Sequence, residues 1–379
     1  MRVIVIGAGV LGASAAWHLA RAGADVLVCD AAHEGRATAA GAGIICPWVS
    51  DASDRPFYQL YTEGGRYYET LVPLLQEDGE TDLGFRRSGA LIVADDPDEI
   101  AAYAEMLAQR RMQTPEMGEV QQLSLRDTRV LFPPLRDDLA GVLVAGGARV
   151  DGRRLTAALL RAAQRHGATM RQGEATLDMS GSAVIGVRSN GERIPADTVV
   201  VTAGVWAPSL LRRAGIVLSI HPQRGQILHL RLPKQSTDDW PVILPPGGHY
   251  LLAFEDSKIV AGATRESDAS LDCRVTAAGQ AEILFEALRT APGLGNATVV
   301  ETRVGFRPVT DDGRPVLGAV CAGARLLVGN GLGAAGLTIG PFAGRQLARL
   351  ALGETAELDL RRFDPMRAIR AGGRRLEQH

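Results

Sequence analysis

The chain begins with MRVIVIGAGVLGASAAWHLARAGADVLVCD, residues 1–30, which combines several signals of one supersecondary unit. An apolar, β-branched run ends at Ile6, a glycine-rich turn follows, and a helix-compatible segment covers residues 13–22. A second apolar run then ends at Asp30. The order of strand, glycine turn, helix, strand and acid is typical of a βαβ unit that binds a dinucleotide.

The turn GAGVLG, residues 7–12, has glycine at each position where a side chain would interfere. Gly7 permits the tight turn, Gly9 lets a pyrophosphate approach the backbone, and Gly12 lets helix and strand pack closely. The first turn of the helix then presents free N–H groups and a partial positive charge to the phosphates. Asp30 lies 18 residues after Gly12, close to the spacing expected for an acid that accepts a hydrogen bond from a ribose hydroxyl.

A second glycine-rich turn, GNGLGAAG at residues 329–336, lies between a predicted strand at 326–328 and a predicted helix over 339–352. A nicotinamide cofactor needs only the first turn, whereas a flavin dinucleotide must also be held at its ring system. A second helix N-terminus beside that ring would stabilise the negative charge of the reduced flavin. The two turns therefore favour FAD, and the alternative is that the second is an unrelated surface turn.

Composition excludes several classes of protein. The 379 residues are 46% hydrophobic and 22% charged with a net charge of −2, so no basic footprint points to nucleic acid. The longest apolar stretches are shorter than the ~20 residues of a membrane span, and the seven histidines show no metal-ligand spacing. The four cysteines form no C-x-x-C pair, which favours a reduced, cytoplasmic compartment, with peripheral contact to an inner membrane left open.

Alternating patterns along the chain indicate two interleaved domains. We predict an α/β fold with a Rossmann-like FAD-binding domain from residues 1–56, 146–221 and 300–379. A smaller substrate domain, built on a mixed or antiparallel sheet with helices, uses residues 57–145 and 222–299. Periodicity further predicts helices over 57–76, 97–111, 155–165 and 275–291, strands over 88–94, 183–188, 197–202, 227–232, 250–254 and 258–262, and a loop-rich segment over 112–140.

Several more motifs follow the opening turn in a distinctive order. They are RATAAGAGI (36–44), VVVTAGVW (199–206), PQRGQ (222–226), GATRE (262–266), GFRP (305–308), DGRP (312–315) with Gly318, and GLGAAGLT (331–338). Over nearly its whole length, the chain resembles the FAD-dependent D-amino-acid oxidase family, which includes glycine oxidase, sarcosine oxidase and the D-amino-acid dehydrogenases. The resemblance rests on the order and spacing of all these motifs together, and on no single motif.

The resemblance implies roles for individual residues. Arg307 matches the arginine that pairs with the substrate carboxylate, for which a planar guanidinium supplies two parallel hydrogen bonds. Tyr250 is similar to a tyrosine that adds a hydrogen bond to the same carboxylate, with core packing as the alternative, and Ala175 corresponds to a backbone contact near the adenosine. The implied cofactor contacts are Gly7, Gly9, Val10, Leu11, Gly12, Asp30, Ala31, Ala37, Thr38, Ala42, Gly43, Ile44, Ala175, Gly204, Arg307, Gly331, Leu332, Gly333, Ala334, Ala335, Gly336, Leu337 and Thr338.

The resemblance also implies a reaction. A D-amino acid or an N-substituted glycine would be oxidised at its C–N bond by hydride transfer to flavin N5, and the resulting imine would hydrolyse. With the carboxylate fixed by Arg307, no acid–base triad is expected, and dioxygen or a quinone would accept the electrons. Two alternatives stay open at this point: a nicotinamide-dependent dehydrogenase that uses only the first turn, and a flavin subunit that works only within a complex. The oligomeric state is also open.

Three departures from the family pattern matter. Ala334 stands where glycine oxidase has a basic residue, so substrate binding is expected to differ from that of glycine oxidase. Cys321 is out of register with the cysteine that tethers flavin in sarcosine oxidase, so non-covalent FAD is expected. Trp48 replaces a small residue and either walls the pocket or plugs the domain interface, and Cys46 is expected to act as a small buried residue.

Overall fold

The computed structural model describes residues 1–267, 270–320 and 325–370. The strands are β1 (Arg2–Ile6), β2 (Asp25–Asp30), β3 (Ile44–Ile45), β4 (Ala90–Ala94), β5 (Val120–Leu123), β6 (Ala140–Val144), β7 (Ala148–Arg149), β8 (Thr169–Gln172), β9 (Ala175–Ser180), β10 (Ala183–Ser189), β11 (Glu192–Pro195), β12 (Thr198–Val201), β13 (Val217–Leu218), β14 (His221–Arg231), β15 (Val242–Leu244), β16 (Tyr250–Phe254), β17 (Lys258–Gly262), β18 (Thr298–Val309), β19 (Val316–Ala319), β20 (Leu326–Asn330) and β21 (Ile369–Arg370). The α-helices are α1 (Val10–Arg21), α2 (Arg55–Glu77), α3 (Pro97–Arg111), α4 (Leu125–Leu131), α5 (Gly152–Arg165), α6 (Ala207–Arg212), α7 (Ala277–Thr290) and α8 (Gly336–Ala351).

The first sheet has the strand order β19-β20-β12-β1-β2-β8, and its strands run parallel except for β19. Parallel strands end at the same edge of a sheet, and ligands of open α/β sheets bind there. This edge therefore collects Gly7 after β1, Asp30 at the end of β2, Thr202 after β12 and Gly331 after β20. The predicted βαβ unit and its Rossmann-like sheet are confirmed.

The two ends of the chain dock on each other within this first layer. Helices α1, α2, α5 and α8 share one hydrophobic core over one face of the sheet. A Cβ atom at Gly344 of α8 would lie 2.7 Å from the Leu11 carbonyl oxygen of α1, so glycine lets the two helices approach closely. The hydroxyl of Ser14 adds a hydrogen bond of 2.6 Å to the Pro341 carbonyl. The other face is covered by the sheet β11-β10-β9 and by α6.

The second sheet has the strand order β18-β14-β17-β16-β15-β4-β6-β5 and is antiparallel except where β15 pairs with β4. One face packs on residues of α7 and on the segment that follows α4. Residues of α3, together with Cys46 and Trp48, pack on the other face. The prediction of a mixed or antiparallel sheet with helices is confirmed. Within the described residues, no helix is both long and apolar enough to cross a bilayer.

The predicted helices agree with the structure to within three residues at each end, but the loop-rich prediction for 112–140 missed two short elements. That segment contains strand β5 and helix α4. The hydroxyl of Ser124 accepts a hydrogen bond from the Asp127 N–H at 3.2 Å, so Ser124 is the N-cap of α4. The pattern Ser-x-x-Asp is a capping signal, and it was available in the sequence.

The division into domains stays a prediction, and two contacts bear on it. Nearly all of helix α2 lies in the segment assigned to the substrate domain, yet its buried side chains join the core of α1 and α8. Strand β18 lies largely in the segment assigned to the FAD domain, yet it pairs along its length with β14 of the second sheet. Both segments therefore cross the proposed boundary.

Candidate active site

A cavity of about 620 Å³ opens between the carboxyl edge of the first sheet and one face of the second. Its size is typical of a site for a small molecule or cofactor. Gly7, Asp30 and Ala175 line one part of it, and Tyr250 and Arg307 line another. The structure therefore brings Arg307 into the same cleft as the first glycine turn.

The first glycine turn forms a cradle that side chains would fill. Gly7 has a φ of +105°, and a Cβ atom there would lie 2.7 Å from the Thr202 carbonyl oxygen. A Cβ atom at Gly12 would lie only 1.9 Å from the Gly7 carbonyl oxygen. Helix α1 starts after Gly9, which contributes no side-chain cap, and the Val10 N–H donates to the Thr38 hydroxyl at 3.2 Å. These residues fit a pyrophosphate at the N-terminus of α1.

Asp30 holds the turn from the neighbouring strand. Its carboxylate accepts hydrogen bonds of 2.5 Å from the N–H groups of Ala8 and Ala32, one on each oxygen. The Arg36 guanidinium lies 3.6 Å from the same carboxylate. Because a carboxylate has about four lone-pair sites, Asp30 still has acceptor capacity for a ribose hydroxyl.

The second glycine turn faces the same cleft. Residues Leu332, Gly333 and Ala334 line the cavity just before α8 begins at Gly336. The side-chain amide of Asn330 donates to the Gly204 carbonyl at 2.8 Å and so joins the turns that follow β20 and β12. The N-termini of α1 and α8 therefore meet at one cavity, and the second turn is not an unrelated surface feature.

Most of the predicted cofactor contacts line this cavity. Among the others, Gly12 packs against Gly7, and the Thr338 hydroxyl donates to the Ile44 carbonyl at 3.0 Å, so these residues support the wall from behind. The lining contains Gly7, Gly9, Val10, Leu11, Asp30, Ala31, Ala37, Thr38, Ala42, Gly43, Ile44, Ala175, Gly204, Arg307, Leu332, Gly333, Ala334, Gly336 and Leu337, whereas Gly12, Gly331, Ala335 and Thr338 lie outside it.

Arg307 is held on strand β18 by neutral groups. Its register partner on β14 is Gln223, whose side-chain oxygen accepts from the guanidinium at 3.3 Å, and the Thr264 carbonyl accepts at 3.1 Å. A Cβ atom at Gly225 would lie 2.7 Å from an Arg307 nitrogen, so the guanidinium lies directly on that glycine. Burial lowers the pKa of Arg307. Among the described residues, no carboxylate oxygen lies within 4.0 Å of this guanidinium.

Tyr250 lies beside this arginine, on strand β16. A Cβ atom at Gly262 of β17 would lie 2.7 Å from the Tyr250 hydroxyl, so this side chain also rests on a glycine. Burial raises the pKa of Tyr250, although the positive charges of Arg307 and Arg265 act in the opposite direction. The phenol therefore stays protonated at neutral pH and is available as a hydrogen-bond donor. Tyr250 lines the cavity, which favours the site role over simple core packing.

Sequence reasoning missed the basic residues around these two side chains. Arg265 and His249 both line the cavity next to Tyr250 and Arg307. A signal was available, because Arg265 lies within the GATRE motif and His249 immediately precedes Tyr250. Glu174 was also missed, and it lines the cavity beside Ala175.

The residues that depart from the family pattern have clear places. Trp48 is buried in the core between α3 and the second sheet and does not line the cleft, so it does not wall the pocket. Cys46 is also buried, and burial raises its pKa to about 12, which makes it a small unreactive residue. Cys29, Cys46 and Cys273 are free thiols. The expectation that Cys321 does not tether flavin concerns a position outside the described residues.

Comparison with known protein families gives the architecture a name. The family model described as FAD dependent oxidoreductase matches residues 2–350 of the chain. The chain belongs to the FAD dependent oxidoreductase family. It is therefore an FAD-dependent oxidoreductase, and this finding confirms the predicted cofactor and sets aside the nicotinamide alternative.

Individual members of the FAD dependent oxidoreductase family are similar over their whole length. A Bacillus subtilis (strain 168) protein named Uncharacterized oxidoreductase YurR is 47% identical over 367 residues, which cover 97% of this chain and 99% of the relative. The crystal structure of iminodiacetate oxidase from Chelativorans sp. BNC1 has a TM-score of 0.93 and 50% identity, covering 96% of this chain and 99% of that one. Glycine oxidase from Geobacillus kaustophilus has a TM-score of 0.83 and 26% identity, covering 97% and 99%.

Proposed function

We propose that this chain oxidises the C–N bond of a small amino or imino acid whose carboxylate binds Arg307. The observation that carries the proposal is the environment of that guanidinium. It is half-buried in the cleft, and its hydrogen-bond acceptors are the neutral oxygens of Gln223 and Thr264. A buried charge without a counter-ion is unfavourable, so a ligand carboxylate would complete the site.

The cofactor assignments rest on the same cavity. We assign the pyrophosphate to the N-terminus of α1 after Gly9, and a ribose hydroxyl to Asp30. Ala175 lies at the adenosine end, where its backbone would make the contact. The N-terminus of α8, with Gly333 and Gly336, would stabilise negative charge on the ring system. These assignments are supported by the two capless helix ends that face the cleft.

The chain's contribution to the reaction is positional. When bound, FAD supplies the redox chemistry by accepting a hydride from the carbon beside nitrogen. Arg307 and Tyr250 would fix the carboxylate, and thereby the orientation of the C–H bond that breaks. The substrate loses one C–H hydride and one N–H proton, a C=N bond forms, and water then releases an amine and a carbonyl acid. We assign no side chain as a general acid or base.

The similarity to iminodiacetate oxidase directs the choice of substrate. That enzyme is named for an N-substituted glycine, and it shares 50% of its residues with this chain. We therefore propose N-substituted glycines as the leading class, ahead of D-amino acids with large side chains. The apolar residues Ile92 and Leu244 line the same cavity as Tyr250.

Anaerobic bleaching of the flavin tests the proposed function. The purified chain should be yellow, and glycine, sarcosine, iminodiacetate and pairs of D- and L-amino acids would each be added without oxygen. We expect carboxylate-bearing amines to bleach the flavin, whereas dimethylamine, which lacks the carboxylate of sarcosine, should not. If sarcosine and dimethylamine bleached the flavin at equal rates, the result would contradict the proposed role of Arg307. No bleaching by any compound would favour the alternative of a flavin subunit within a complex.

The electron acceptor needs its own experiment. We propose dioxygen or a quinone. The substrate-reduced protein would be mixed with aerated buffer or with a soluble quinone, and recovery of the yellow absorbance would be followed. Fast recovery in air with formation of peroxide identifies an oxidase. Slow recovery in air and fast recovery with quinone identify a dehydrogenase.

A further inference from the structure

We propose that Arg265 binds a second carboxylate, so that the preferred substrates are secondary amines with two carboxylates, such as iminodiacetate. This inference rests on the proposed function, because Arg307 takes the first carboxylate. It adds a residue that selects the substrate and gives a role to Arg265, which lines the cavity together with Arg307.

Both arginines act on the same tyrosine, because the positive charges of Arg307 and Arg265 each favour a lower pKa of Tyr250. Arg265 directly follows Thr264, whose carbonyl accepts a hydrogen bond from Arg307 at 3.1 Å. Its own guanidinium lies 3.5 Å from the Gly248 carbonyl oxygen, and a Cβ atom at Gly248 would lie 3.0 Å from it. Arg265 therefore rests on a glycine, as Arg307 rests on Gly225. Both arginines line the cavity.

The carboxylate nearest to Arg265 in the sequence is already engaged. Glu266 accepts hydrogen bonds from Arg224 at 2.8 Å, from Gln226 at 2.8 Å and from the Thr264 hydroxyl at 2.9 Å. Among the residues that the structure describes, no carboxylate oxygen lies within 4.0 Å of the Arg265 guanidinium. Arg265 is exposed to the cleft and so is available to a ligand.

The acids of the described lining lie at one end of the cavity, where Arg36 is also present, 3.6 Å from Asp30. The acids of the described lining are Asp30, at the end of β2, and Glu174, just before β9, both at the adenosine end. The guanidiniums of Arg265 and Arg307 line the substrate end, together with the ring of His249. His249 has one acid nearby, since Glu282 lies 3.7 Å from it. A cleft lined by one sign of charge attracts the opposite charge, so the substrate end favours a dianion over a monoanion.

Two arginines at the substrate end would supply one partner for each carboxylate of a symmetric dicarboxylate. A substrate with one carboxylate would neutralise Arg307 and leave the positive charge of Arg265 uncompensated beside it. Iminodiacetate places its amine between two carboxylates, so that binding at both ends orients the C–H bond next to nitrogen. Its oxidation removes two electrons and two protons, the electrons pass to FAD, and addition of one water yields glycine and glyoxylate.

The test compares ligands that differ by one carboxylate. Iminodiacetate and sarcosine form the reactive pair, while oxydiacetate and methoxyacetate have an ether oxygen in place of nitrogen and cannot be oxidised. Binding of the ether pair would be measured by calorimetry on the yellow protein, and the KM of the amine pair by steady-state or bleaching kinetics. We expect the wild-type chain to bind iminodiacetate more tightly than sarcosine, and oxydiacetate more tightly than methoxyacetate.

Arg265→Gln should raise the Kd of oxydiacetate and the KM of iminodiacetate by about tenfold, as expected for loss of one exposed charge-assisted hydrogen bond. The values for methoxyacetate and sarcosine should change less than about twofold. Arg274→Gln is the matched control, since Arg274 is a highly exposed arginine outside the cavity and should leave all four values unchanged. Arg265→Lys keeps the charge and should retain most of the preference.

The inference is overturned if the wild-type chain treats both members of each pair alike, or if Arg265→Gln weakens both members equally. Either result would leave the role of Arg307 intact, provided that sarcosine still bleaches the flavin and dimethylamine does not. If no amine bleaches the flavin, the proposed function fails, and the calorimetric comparison still decides whether Arg265 binds a second carboxylate.

Discussion

One end of the cleft is built largely from the backbone, and the other is built from side chains. At the cofactor end, Gly7, Gly9 and Gly12 clear space and expose N–H groups within a single turn of chain. At the substrate end, Arg307 and Tyr250 come from strands β18 and β16, which are separated in the sheet by β14 and β17. The cofactor end therefore depends on the spacing of glycines within one short segment, whereas the substrate end depends on how distant strands pair in the sheet.

Glycine serves both ends, but in different ways. At the cofactor end, the space above Gly12 is filled by the backbone of Gly7, which cannot move without deforming the turn. At the substrate end, the space above Gly225 is filled by the tip of Arg307, a flexible side chain. Substitution should therefore damage cofactor binding at the first end and substrate binding at the second.

Arg307→Leu should have the largest effect, because it removes the charged partner of the carboxylate. We expect kcat/KM for carboxylate substrates to fall about a thousandfold, since breaking such a pair costs about 4 kcal/mol. The flavin content, measured by the ratio of flavin to protein absorbance, should stay at the wild-type value. Arg289→Leu, on the exposed side of α7, is the control for loss of a surface arginine. Unchanged bleaching kinetics in Arg307→Leu would mean that the carboxylate binds elsewhere.

Gly12→Ala tests the backbone end. The new Cβ atom would lie 1.9 Å from the Gly7 carbonyl oxygen, so the turn and the start of α1 must shift. Overpacking of this kind costs about 1–3 kcal/mol, and we expect FAD to bind about ten- to a hundredfold more weakly. Fluorescence titration of the apoprotein with FAD measures this change. Gly295→Ala, where a Cβ atom meets no neighbour within 4 Å, should bind FAD normally. Equal FAD affinity in both variants would argue against the cradle.

Gly225→Ala should produce a smaller effect, confined to the substrate end. The added Cβ atom would lie 2.7 Å from the Arg307 guanidinium, which can swing away and so lose its position. We expect KM for carboxylate substrates to rise about tenfold while FAD affinity stays unchanged. In the Arg307→Leu background, the same substitution should add little, because the group that it displaces is already absent. Additive losses in the double variant would show that Gly225 acts through something other than Arg307.

The difference between the two ends also explains how much the sequence predicted. The cradle was predicted from spacing within residues 1–30, because all of its signals are local. Arg307 and Tyr250 were predicted only through resemblance to a family, since no local pattern shows that β18 and β16 share a sheet. Arg265 was missed because its availability depends on Glu266 bonding instead to Arg224 and on the Gly248 turn folding beneath it. Such relations exist only in the folded chain.

His18→Gln should have the smallest effect, on stability alone. His18 lies on α1, away from the cleft lining, and its ring nitrogen is 2.7 Å from the Tyr67 hydroxyl. Burial lowers the pKa of His18 to about 3, helped by the charges of Arg345 and Arg21. The unfolded chain protonates this residue near pH 6.5, so between these values the unfolded state binds more protons. The stability contributed by neutral His18 is therefore complete above about pH 6.5 and is lost as the pH falls below it.

From pH 8 to pH 6, the titration of His18 should lower the free energy of unfolding by about 0.8 kcal/mol, and His18→Gln should not show this part of the loss. Urea titrations at the two pH values measure the difference for each protein. Tyr67→Phe removes the same hydrogen bond but keeps the imidazole, so it should retain the wild-type pH dependence. Identical pH dependence in His18→Gln and the wild type would mean that folding does not lower the pKa of His18. Flavin bleaching by carboxylate substrates should be the same in all three proteins, because His18 does not line the cleft.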